Sequence, residues 1–245
     1  MKQISKIVKS YKHLVFLDFE GTQYSHEIIA IGATVASIKS NGQIKKYYSS
    51  FKRYVKAKNP IGNFVTNLTG ITEEKLKKDG VRFSVMLEDF KKYLGRKFKS
   101  SLFVTFGNYD YKMFAQTCSY NLDTPKKIAE QIKMHMFDFL EFISSFIRDD
   151  KHNPYSLSNY CKLYGFDFEG TMHDPECDAI NLGKLYEAFI KNKPFLAEEY
   201  EKFLSTTNHL PTPVRLILGK LKNKEDVKYE DYHKFIEEFI DDQLP

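Results

Sequence analysis

The chain has 245 residues, 42% of them hydrophobic and 28% charged. That composition is globular and excludes a disordered chain, and the length suits one large domain or one domain with an appendage. Only 12 glycines and 8 prolines exclude collagen-like or low-complexity sequence. Mean hydropathy is −0.45, and no stretch approaches the roughly 18 apolar residues of a membrane helix. The basic N-terminus runs into Asp18 and Glu20 where a signal peptide needs an apolar core. Cys118, Cys161 and Cys177 are odd in number and lack a C-x-x-C spacing. A reduced, unexported protein with a cytoplasmic location and no membrane contact is expected.

Charge is uneven. From Phe195 to Pro245 there are 7 Lys/Arg against 11 Asp/Glu, a balance of −4, while residues 1–194 hold 30 against 21, a balance of +9. A basic body suits a polyanionic partner, although a solvated Lys-rich surface reads the same way.

Along the chain, His13–Phe19 (HLVFLDF) predicts a buried strand that ends in acids. Glu27–Ile38 predicts a second strand, Asn41-Gly42 a hairpin turn, and Ile44–Tyr54 a third, antiparallel strand. Ile61–Leu68 and Thr72–Lys78 predict short helices. Phe83, Met86, Leu87, Phe90 and Leu94 recur at helical spacing, with Gly95 as a stop. Leu102–Phe106 predicts a fourth strand, Asp110–Tyr120 and Pro125–Ile132 helices, and Met134–Phe137 a weak fifth strand. Helices follow at Asp138–Ile147, Ser156–Tyr164 and Pro175–Ile190, the last capped by Asp174 with Pro175 at its first position. Phe195–Ser205, Val214–Lys222 and Tyr229–Asp242 close the chain as helices. Three strands followed by alternating helices and strands predict an α/β fold. Its mixed five-stranded sheet joins an antiparallel meander to parallel strands, with helices on the faces.

Four signals carry chemistry. Asp18 and Glu20 stand two apart on a strand and share a face. Two carboxylates there are costly to desolvate without a cation between them, and Mg²⁺ or Mn²⁺ suits oxygen ligands. Asp110 follows the fourth strand at a helix start. His173 precedes a helix on which Asp178 lies one turn in, and a neutral imidazole accepts a proton near physiological pH. Taken singly, these also read as a solvated strand end, a favourable helix-start charge, and a capped helix with a surface histidine.

Taken together they form a pattern: Asp-x-Glu on strand one, Asp after strand four, and His-x4-Asp at the last core helix. This pattern resembles the DEDDh 3′-to-5′ exonucleases, which have an RNase H-like fold. Leu17-Asp18-Phe19-Glu20-Gly21-Thr22 is similar to the family's first motif. Asn59-Pro60 and Phe64–Thr72, with Leu-Thr-Gly-Ile at its centre, are similar to the nucleotide-contacting segment. Phe106–Asp110, then Ser156-Leu157 through His173 and Asp178, complete the resemblance over residues 11–191. Its closest flavour is the branch of histone-mRNA and small-RNA 3′ exonucleases and their bacterial relatives. The turn Gly21–His26 is shorter than in many members, and the segment between His173 and Asp178 lacks their small and basic residues.

The resemblance implies a two-ion site of Mg²⁺ or Mn²⁺. Asp18 bridges both ions, and Glu20 and Asp178 serve the ion that holds the attacking water. Asp110 supports the other ion, and His173 is the general base. It also implies that Gly21, Thr22, Leu68 and Ile71 contact the terminal nucleotide, although helix–loop packing explains Ile71 equally well. The expected substrate is a single-stranded 3′ end of RNA or short DNA, and the expected product a nucleoside 5′-monophosphate. A catalytically silent nucleic-acid-binding module is the competing reading. Residues 1–194 are expected to form the nuclease domain. Residues 195–245 are expected to be an acidic helical extension, open to a protein partner or to self-association.

Overall fold

A computed structural model describes residues 4–206 and 210–243; the remainder of the expected 195–245 extension lies outside the described residues. The elements in order are α1 (Ile4–Val8), β1 (His13–Gly21), β2 (Ile28–Ile38), β3 (Ile44–Tyr47) and β4 (Phe51–Tyr54). Next come α2 (Asn63–Thr69), α3 (Glu73–Asp79), α4 (Phe83–Leu94), a 3₁₀ turn (Gly95–Ser100), β5 (Ser101–Thr105) and α5 (Tyr109–Tyr120). Then follow α6 (Lys126–Met134), β6 (Met136–Asp138), α7 (Phe139–Ile143), α8 (Leu157–Leu163) and α9 (Pro175–Lys191). The chain closes with α10 (Lys193–Thr206), α11 (Thr212–Lys222) and α12 (Tyr229–Gln243).

The sheet runs β3-β2-β1-β5-β6, with β4 pairing β2 beside β3. β2 is antiparallel to β1, β3 and β4, and β5 and β6 continue the sheet in parallel. Six strands replace the expected five because the third breaks in two. Tyr48 still donates its N–H to the Val35 carbonyl, but Ser50 turns its hydroxyl to Glu176 on α9. The chain leaves the ladder there and rejoins it at Phe51.

Alternation along β1 divides its side chains. Val15, Leu17 and Phe19 enter a core with Phe83, Met86, Leu87 and Phe90 of α4 and Phe114 of α5. Phe16 faces α9, its ring 5.5 Å from that of Tyr186. Asp18 and Glu20 are in phase with Phe16, so the same alternation aims them at α9.

The described residues fall into two compact units. One runs through Phe142 and resumes over Ser156–Lys191; the other joins Ile143–Tyr155 to the chain from Asn192 onward. The second unit takes in that earlier segment because Phe146 and His152 find ring partners in Tyr200 and Phe203, at 5.4 and 6.1 Å. Within it, Lys220 bonds Asp231 at 2.7 Å and links α11 to α12.

Candidate active site

The C-terminal end of β1 meets the N-terminal turn of α9. Carboxylate oxygens of Asp18, Glu20 and Asp178 lie within 4.8 Å of one another, a grouping of metal-ligating residues among the described residues. Gly32 makes the meeting possible. It stands directly opposite Asp18 on β2, and a Cβ there would overlap the Pro175 carbonyl and the Glu176 nitrogen. Only a glycine lets the helix backbone rest on the strand at this point. Asp174 caps α9, its Oδ1 accepting from the backbone N–H groups of Glu176 and Cys177 at 3.0 and 3.4 Å.

Asp110 enters from the neighbouring crossover. It is only 7% exposed, and its Oδ1 accepts the Phe19 backbone N–H at 3.3 Å. That bond anchors the start of α5 to the strand between the two β1 acids. Asp138, at the end of β6, accepts the Gly107 N–H at 3.0 Å and shapes the turn that delivers Asp110.

Burial and mutual repulsion push these acids up together. Burial comes first at Asp18, which lies well above the ordinary carboxylate range, and the charges of Asp110, Asp178, Glu20 and Asp174 add to it. Glu20 is pushed up to about 8 by burial, then by Asp178, Asp110 and Asp174. Asp110 and Asp178 are each pushed up to about 7, burial again leading. Backbone N–H bonds from Phe19 and His173 respectively hold them lower than burial alone would. Four oxygen-donor groups that repel one another in a partly desolvated cleft fit hard divalent cations, which reward a charge density that water-free protein penalises.

His173 lies on the loop just before α9. It is exposed, its backbone is left-handed at φ 63°, and its N–H points to Asp178. The remaining expected contact residues differ among themselves. Gly21 ends β1 with Met113 packed against it. Thr22 is buried; its N–H donates to the Glu27 carbonyl, and its hydroxyl accepts the Glu27 N–H, both at 2.9 Å. Its polar groups therefore hold the tight turn. Leu68 on α2 is 41% exposed, as is its neighbour Phe64 at 64%. Ile71 is 4% exposed and packs with Ile29, Ile61, Val65 and Leu76 beneath that surface.

Sequence reasoning missed Gly32 and Lys52. A glycine inside the apolar run EIIAIGATVASI is the usual sign of close backbone approach and could have been read so. Nothing local marks Lys52, whose amine bonds the Asp174 carboxylate.

The RNase T exonuclease family model matches residues 15–186. The chain belongs to this exonuclease family. No curated protein matches it by sequence. Among solved structures, a full-length 3′-exonuclease aligns at TM-score 0.60 and 18% identity over 74% of this exonuclease, which spans 61% of that longer chain. The nuclease domain of 3′hExo, a DEDDh family member bound to rAMP, aligns at TM-score 0.60 and 18% identity, covering 75% of this chain and 94% of that one. E. coli Exonuclease I in complex with a dT13 oligonucleotide aligns at TM-score 0.58 and 15% identity, covering 79% and 43%. These likenesses bear on the fold and agree with an RNase H-like exonuclease sheet. Membership of the exonuclease family makes the protein a nuclease of the hydrolase class, and its acidic cluster suits divalent metal.

Proposed function

We propose that this exonuclease is of the DEDDh type and removes nucleoside 5′-monophosphates from the 3′ end of single-stranded RNA or short DNA. The observation that carries the reading is the meeting of Asp18, Glu20 and Asp178 within 4.8 Å, with Asp110 bonded to the strand beside them. These four residues would hold two Mg²⁺ or Mn²⁺ ions through their carboxylate oxygens. When bound, such ions neutralise the scissile phosphate and lower the pKa of the attacking water.

The protein's own groups do the rest. The His173 imidazole, exposed on the loop just before α9, takes the proton of the attacking water. Leu68 and Phe64 offer an apolar surface on which a terminal base packs without regard to sequence. Ile71 holds that surface from below, and the Gly21–Thr22 turn borders the nucleotide. The dT13 bound by one neighbour supports a single-stranded substrate, and the rAMP bound by the other supports a mononucleotide product.

Matched oligonucleotides labelled at one end test the reading in the presence of Mg²⁺ or Mn²⁺. A 3′ label should leave as mononucleotide at once, while a 5′ label should pass through a descending ladder. Asp18→Asn should abolish both patterns, and His173→Ala should retain slow turnover of the same polarity. Internal fragments as first products, or binding without cleavage by wild type, would overturn it.

A further inference from the structure

We propose that Lys52 is a positioning residue for His173 and acts on it through Asp174. The proposal rests on the reading of His173 as general base. Lys52 lies on β4 opposite Gly32, which in turn lies opposite Asp18, so the three form one row across the sheet. From this row its amine reaches the Asp174 carboxylate, with the two side chains only 23% and 28% exposed. A pair so enclosed is screened less than a surface pair.

The two oxygens of Asp174 have separate tasks. Oδ1 accepts the first N–H groups of α9, while Oδ2 takes the Lys52 amine. The carboxylate is thereby held in one orientation, and the backbone that carries it is held with it. That matters because the preceding residue is His173, at φ 63°. A non-glycine residue keeps such a conformation only where its surroundings enforce it. Enforcement comes from both sides: the His173 N–H points back to Asp178, and Asp174 is pulled outward to β4. Ser50 bonds Glu176 from the same edge, and Pro175 rests on Gly32 between these two ties. Without Lys52 the helix remains capped, but the loop that carries the imidazole loses its outer anchor.

The test uses the full chain with a 3′-labelled oligonucleotide and Mg²⁺, together with the rise in melting temperature that the metal produces. Lys52→Met should lower kcat about 10- to 30-fold, a fraction of what a positioned base contributes, with KM changed less than about twofold. The metal-driven rise in melting temperature should be unchanged. Lys52→Arg should restore most of kcat. Asp174→Asn keeps a good helix cap while discarding the charge that Lys52 needs, so it should reproduce the loss, and it carries the test if Lys52→Met does not fold. In a His173→Ala background, Lys52→Met should have no further effect on kcat. An additional loss in that background, or a raised KM with kcat intact, would place Lys52 on the substrate and overturn the proposal. His173→Ala slow and Lys52→Met fully active would sink the proposal alone. Wild-type kcat in His173→Ala would refute the reading of His173 and this role of Lys52 with it.

Discussion

Glu20→Gln should make the metal-free protein more stable while removing its activity. Glu20 ionises at about 8 in the fold against an ordinary 4.5. At 1.36 kcal/mol per pKa unit that is about 4–5 kcal/mol, and solvent screening of this half-buried group leaves about 2 kcal/mol. The sign follows from proton counting. Between 4.5 and about 8 the folded protein keeps a proton that the unfolded chain has released. Stability therefore falls as pH rises through this window, and the loss is complete above it. Glutamine cannot ionise and escapes the loss. In the presence of a chelator, Glu20→Gln should melt about 4–8 °C above wild type at pH 8.5 and within about 1 °C of it at pH 4.5. Calorimetry across that pH range, paired with an oligonucleotide assay in Mg²⁺, reads both halves. A variant that melts below wild type at pH 8.5, or a difference that ignores pH, would refute the reasoning. Either result would mean that Glu20 is not desolvated among like charges.

Mn²⁺ at about 100 times its dissociation constant should stabilise wild type by about 2.7 kcal/mol, and Asp178→Asn should lose most of that gain in a thermal melt. Gly32→Ala should destabilise by about 1–3 kcal/mol in urea titration, because a methyl group must force Pro175 off the strand, and kcat should fall with it. Ile71→Ala should lose about 2–4 kcal/mol of stability from the layer beneath α2. Leu68→Ala should stay within about 0.5 kcal/mol of wild type yet raise KM, as expected for an exposed side chain that meets substrate. Equal stability losses for Ile71→Ala and Leu68→Ala would show that the two share one environment.

Much of this molecule is written in short-range pattern. The apolar run ending in Asp-x-Glu specified a strand with two acids on one face, and Asp174-Pro175 specified a helix start, because alternation and capping depend on near neighbours alone. Residue types also singled out Asp18, Glu20, Asp110, His173 and Asp178. What residue pattern leaves open is convergence. Asp178 meets Asp18 because Gly32 admits the α9 backbone onto β2, and that contact exists only when register and helix packing are both set. The split of the third strand, the burial of Ile71 beneath exposed Leu68, and the reach of Lys52 to Asp174 share this origin. So does the pairing of Ile143–Tyr155 with the C-terminal helices. Each joins groups distant in sequence, and only the close-packed interior decides which of them touch.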